Sequence, residues 1–154
     1  DSAVANRAAI DAIDQADLIV IGPGSLYTSV IPNFLFREIG AAVNASKSPT
    51  VFVCNVATQP HETEGYGVEQ HLMEFQAHAG LSVSHVLIND MVLNLPEHSG
   101  QEAVLSVNAI DGFQGKIVRA DVLDEDFPTR HDPYKLARVL ISIERDYDYS
   151  GRRK

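Results

Sequence analysis

The sequence has no tryptophan, one cysteine and two methionines, and aromatic residues make up only 7% of it. The single thiol, Cys54, excludes an internal disulfide and makes the cytosol the expected compartment. Cations are scarce too: 12 Lys and Arg stand against 21 Asp and Glu, a net charge of −9. So acidic a chain cannot displace the counterion cloud of DNA or RNA, which excludes sequence-independent binding to nucleic acid. The closing Arg152–Arg153–Lys154 is too short to reverse that balance. No apolar run approaches the ~20 residues that cross a bilayer, so no membrane partner is expected. No basic stretch precedes an apolar one, so no secretory leader is expected either. HExxH and Cys/His clusters are missing, and His71 and His78 lie two helical turns apart, too far to share a metal.

What is present reads as one α/β domain over residues 1–154. At 154 residues one core buries about 68–70% of the unfolded surface. Apolar runs alternate with helical stripes. Residues 3–14 read as a helix, Asp17–Gly22 as a buried strand and Thr50–Asn55 as a second. Between them a helix is expected from Pro32, where a missing N–H costs nothing. Val68, Leu72, Phe75 and Ala79 mark another helix that Gly80 closes. His85–Asn89 is a third strand, and Asn94–Glu102 a polar surface loop. Val104–Val107 and Lys116–Val122 read as a strand pair around a turn, and Pro133 to Arg145 as a last helix. Such alternation predicts a mainly parallel sheet with helices on both faces. Ligands then bind outside the carboxyl ends of the strands.

Two loops meet that condition. The first is Gly22-Pro23-Gly24-Ser25-Leu26-Tyr27-Thr28-Ser29. Its glycines let backbone approach a ligand, and its hydroxyls precede a helix start, where free N–H groups attract an anion. The same hydroxyls can instead serve only as helix caps. It fits neither GxxxxGK[ST] nor GxSxG. The second runs from Asn55 to Gly67. Asn55, Thr58, Gln59 and Thr63 have the donors and acceptors to read a sugar or base edge, and Tyr66 a ring to stack on one. Glu62 and Glu64 suit a metal or acid–base work; the plainer alternative is a polar surface loop. A third feature is Arg130-His131-Asp132-Pro133. Asp132 and Pro133 suffice as N-cap and first helical residue, which leaves Arg130 or His131 free to face a ligand or an acidic neighbour. Cys54, inside an apolar run, reads as a buried, unreactive thiol.

The runs ADLIVIGPGSLYTSVIPN (Ala16–Asn33), CNVATQPHETEGY (Cys54–Tyr66) and RHDPYKLA (Arg130–Ala137) occur in order. Together they resemble the gluconeogenesis factor family, the YvcK-type branch of the CofD-like proteins, over roughly Ala9 to Glu144. The resemblance implies a Rossmann-like fold and a cytoplasmic regulator that binds UDP-sugars such as UDP-N-acetylglucosamine. It also implies an influence on cell shape and on growth with gluconeogenic carbon sources. The candidate ligand-binding residues in the two loops are Gly22, Gly24, Ser25, Leu26, Tyr27, Thr28, Ser29, Asn55, Thr58, Gln59, Glu62 and Thr63. The other branch, the CofD phospholactate transferases, acts on a deazaflavin precursor with Mg²⁺ and a guanine nucleotide. Its first loop is closer to GPSNP, so the form seen here favours the regulators and no certain cofactor.

Two departures from the family pattern stand out. The family's opening strand and GGTG-like loop have no counterpart here, so a C-terminal portion of the family fold is expected, with its nucleotide site half present. An exposed edge beside the first or second strand would then favour a homo-oligomer. His61 stands where the family usually has Gly; at positive φ, His is among the better tolerated replacements.

Overall fold

The computed structural model describes residues 4–95 and 98–147. In chain order the elements are α1 (Arg7–Gln15), β1 (Ile19–Ile21), α2 (Arg37–Ala45), β2 (Thr50–Val53), α3 (Val68–Ala79), β3 (His85–Asn89), β4 (Lys116–Ala120) and α4 (Pro133–Arg145). The four strands form one parallel sheet in the order β1-β2-β3-β4. The fold is therefore a parallel α/β sheet with helices on both faces, as the alternating pattern predicts, and Rossmann-like, as the resemblance implies.

Alternate side chains of each strand leave the sheet on opposite faces, which splits the core in two. On one face Phe52, Cys54, Val86 and Ile88 meet Val43 of α2 and Val68, Leu72 and Phe75 of α3, with Ile13 of α1 alongside. Phe75 stacks on Phe52 at 5.1 Å between centroids and meets Phe34 edge-on at 5.2 Å. On the other face Val51, Val53 and Leu87 pack on Leu136, Val139, Leu140 and Ile143 of α4. Every residue of β2 and β3 is buried, as expected for central parallel strands. β1 and β4 are the edges.

Several boundaries differ from the sequence reading. α1 starts at Arg7 because Asn6 caps it, accepting the N–H of Ala8 at 2.9 Å; Asp1 to Ala3 lie outside the described residues. β1 is only three residues long, since Gly22 turns the chain at φ +79. Pro32 does not start an α-helix. A π-turn, Leu26–Val30, runs into a 3₁₀-turn, Ile31–Leu35, and α2 begins only after extended Phe36. The strand pair of Val104–Val107 with Lys116–Val122 does not form. β4 pairs parallel with β3, while the 103 region bridges to Ala57 instead. α3 and α4 match their expected spans, and Gly80 closes α3 at φ +65.

Candidate functional site

In a parallel sheet all strands end on one side. There the loops after β1 and β2 lie against each other, tied by side chains. The Asn55 amide clamps Gly24 from both ends: Nδ2 donates to the Gly24 carbonyl at 3.0 Å and Oδ1 accepts its N–H at 3.2 Å. The Glu62 carboxylate accepts the Tyr27 N–H at 2.8 Å and the Ser25 hydroxyl. The Tyr27 and Tyr66 hydroxyls bond at 2.9 Å, and burial together with Tyr66 holds the Tyr27 pKa well above the usual phenol range. Through these bonds the loops form one wall.

Glu62 has a further consequence. Its negative charge occupies the amide of Tyr27, where the sequence reading expects an anion. The Ser29 N–H is also taken, by the Ser25 carbonyl at 2.9 Å. The Tyr27 and Ser29 N–H groups are therefore satisfied from within the protein.

The second loop is held from above. The Thr58 N–H donates to the Glu102 carbonyl at 2.8 Å, and the Thr58 hydroxyl accepts the Glu102 N–H at 2.8 Å. Gln101 Nε2 donates to the Thr58 carbonyl at 3.0 Å. The Thr63 hydroxyl accepts the Gln59 N–H at 2.9 Å. His61 has φ +64, the left-handed conformation that suits Gly best and that His tolerates better than most residues.

A third segment completes the site. Asp132 caps α4 as expected, accepting the N–H groups of Tyr134 and Lys135, each at 2.8 Å. Just before it, His131 bridges antiparallel to Leu123, and the Asp132 N–H donates to the Val122 carbonyl at 2.9 Å. Lys135 ties α4 to the same stretch through Asp121 at 2.9 Å and the Leu123 carbonyl at 3.0 Å. This bracing presents His131 to the end of β2, where its Nε2–H donates to the Cys54 carbonyl at 3.2 Å. Cys54 itself is buried, and burial pushes its thiol up to about 12, an inert state.

Between these segments lies a cavity of 410 Å³, within the range of small-molecule sites. Its wall includes Gly24, Ser25, Asn55, Gln59, Gln101, Thr129, Arg130 and His131. Of the residues named from sequence, Gly24, Ser25, Asn55 and Gln59 thus come together here. Leu26, Thr58 and Thr63 have buried side chains with structural duties. Gly22 and Ser29 line a separate apolar groove beside β1 with Ile13, Val20 and Phe34. Tyr27 and Glu62 brace the wall from behind. The Thr28 hydroxyl bonds Ser25. Gln101 and Thr129 were not singled out in the sequence. Gln101 sits in the polar stretch read as a plain surface loop, and only its folding back over Thr58 reveals it.

Among the described residues, no carboxylate lines this cavity. Glu62 is spent on the first loop, Glu64 accepts the His61 N–H at 3.1 Å, and Asp90 lies 3.9 Å from Arg119. Among the described residues, no cluster of three His, Cys, Asp or Glu suits a metal ion. The donor set of the described residues does not fit Mg²⁺, which takes one or two carboxylates beside substrate phosphates.

The family model described as 2-phospho-L-lactate transferase CofD matches residues 1–130. The chain belongs to the CofD family. Within it, the gluconeogenesis factor of Bacillus subtilis is 35% identical over 143 residues, covering 87% of this chain and 45% of its own. A Nostoc sp. relative of this CofD-family protein is 41% identical over 147 residues, covering 87% of this chain and 32% of its own. Two crystal structures of one Bacillus halodurans protein, called a member of the UPF0052 family, superpose with TM-scores of 0.81 and 0.78 at 30% identity. Each covers 90% of this chain and 47% of that one. The chain thus spans less than half the length of these relatives. Among the described residues, no helix is long and apolar enough to cross a membrane.

Proposed function

We propose that this CofD-family protein binds a UDP-sugar, of the UDP-N-acetylglucosamine kind, in the cavity beyond β1 and β2. It would act as a cytoplasmic regulator of carbon metabolism and cell shape. The observation that carries the reading is the wall itself. Three separated sequence motifs converge on one cavity at the carboxyl ends of parallel strands, where α/β proteins bind nucleotides. Among the described residues, the wall offers Arg130, amides and hydroxyls, and no carboxylate to repel a diphosphate. The same absence weighs against the transferase alternative, since phospholactyl transfer needs Mg²⁺ held near the phosphates.

Calorimetric titration with UDP-N-acetylglucosamine, with and without Mg²⁺, tests this reading. Saturable binding that is indifferent to Mg²⁺ is expected. No heat at millimolar ligand, or binding that appears only with Mg²⁺ and a guanine nucleotide, would overturn it.

A further inference from the structure

Two acceptors on residues of the wall have no donor among the described residues. A carbonyl has no proton to give, so the bond between His131 Nε2 and the Cys54 carbonyl puts the ring proton on Nε2. The lone pair is then on Nδ1. That nitrogen has no hydrogen-bond partner among the described residues, and His131 borders the cavity. Gln59 borders the same cavity, and its Oε1 is buried without a partner. Asn55 bonds Gly24, Ser25 bonds Glu62 and Gln101 Nε2 bonds Thr58, so these three neighbours do not meet the two acceptors. A buried acceptor left without a donor is costly, so Gln59 Oε1 has a bond still to make on a residue of the cavity wall.

We propose that the cavity selects a ligand group that donates hydrogen bonds, with His131 Nδ1 and Gln59 Oε1 as the acceptors. Sugar hydroxyls and the imide N–H of a pyrimidine base have that chemistry. Phosphate and carboxylate oxygens, which only accept, do not, so a diphosphate lies away from these two atoms. Burial holds the His131 pKa below the ordinary histidine range, which keeps the ring neutral and Nδ1 an acceptor at pH 7. The inference deepens the UDP-sugar reading and rests on the same cavity being the binding site.

The test has two independent parts. A long-range ¹H–¹⁵N spectrum of the His131 ring at pH 7.5 reports the tautomer with no ligand present. The Nε2–H form is expected; an Nδ1–H form or an imidazolium overturns the proposal. Titration with UDP-N-acetylglucosamine then compares the wild type with Gln59→Leu and His131→Phe, each checked for an unchanged melting transition. Each variant is expected to lose about tenfold or more in affinity; unchanged affinity in both overturns the proposal. A 3-N-methyluridine analogue and deoxy-sugar analogues show which end of the ligand donates, and no loss with any of them also overturns it. If the wild type does not bind UDP-N-acetylglucosamine, the UDP-sugar reading fails alone. Free uridine and N-acetylglucosamine are then titrated against the His131 ring signals. Movement with either supports donor selection, and no movement with both ends it.

Discussion

Replacing Glu62 with alanine tests whether the two loops form one unit. The carboxylate accepts the Tyr27 N–H at 2.8 Å and the Ser25 hydroxyl. Bonds to a charged group contribute about 1.5–3 kcal/mol each when sheltered. This pair is only part-buried, so water replaces some of what is lost. The expected destabilisation for Glu62→Ala is about 1.5–3 kcal/mol. Glu62→Gln keeps one oxygen for Tyr27 and loses the charge, so roughly 1 kcal/mol is expected. Urea unfolding at pH 7.5 reads both, as a shift of midpoint with little change of slope. Ser25→Ala completes a double-mutant cycle, with a coupling of about 1 kcal/mol expected between Ser25 and Glu62. A loss below ~0.5 kcal/mol for Glu62→Ala, or additive effects in the cycle, would refute the idea that Glu62 joins the loops.

Asp132→Ala removes the cap of α4 and is expected to cost on the order of 1 kcal/mol in urea unfolding. Because Asp132 does not line the cavity, UDP-sugar affinity should stay almost unaltered; a large loss with normal melting would assign it a ligand role. His71, His85 and His131 all have pKa values held below 6.5, first by burial. The unfolded chain therefore takes up their protons first as pH falls below about 6.5. Their contribution is full above that pH and declines below it, by up to about 1.4 kcal/mol per pH unit for each histidine. Asp121, with its pKa lowered by Lys135, acts only below the ordinary Asp range. Stability that stays flat from pH 7.5 to 5.5 would contradict the buried neutral state of all three rings. Finally, among the described residues β1 has one neighbour in the sheet, and Val20 is 41% exposed there. A two-fold dimer that covers this edge is expected, and light scattering from a stable monomer at micromolar concentration would refute it.

The fold was legible where period and chemistry agree. Val68, Leu72, Phe75 and Ala79 with Gly80 specify α3 and its end. Asp132–Pro133 specifies the start of α4. HVLIN, apolar and β-branched, specifies β3. Pro32 misled because it suits a 3₁₀-turn as well as an α-helix, and the choice was settled by Ile31 and Phe34 packing on the core. Lys116–Val122 read as a strand and forms one over Lys116–Ala120, but its partner is a tertiary matter: β3 offers a buried parallel edge that the 104–107 run does not. The site was legible as two loops and a turn. That Asn55 and Glu62 serve the loops, leaving Gln59 and His131 to face the cavity, depends on pairings across 31 to 77 residues that no local pattern encodes.

The most direct test of the account is where a ligand lands. Amide chemical-shift mapping during a UDP-N-acetylglucosamine titration should move Gly24, Ser25, Asn55, Gln59, Gln101, Arg130 and His131 together, with one midpoint. Shifts confined to the groove along α4 at Asp121, Arg138 and Ser142 would place the ligand elsewhere and contradict the assignment of the site.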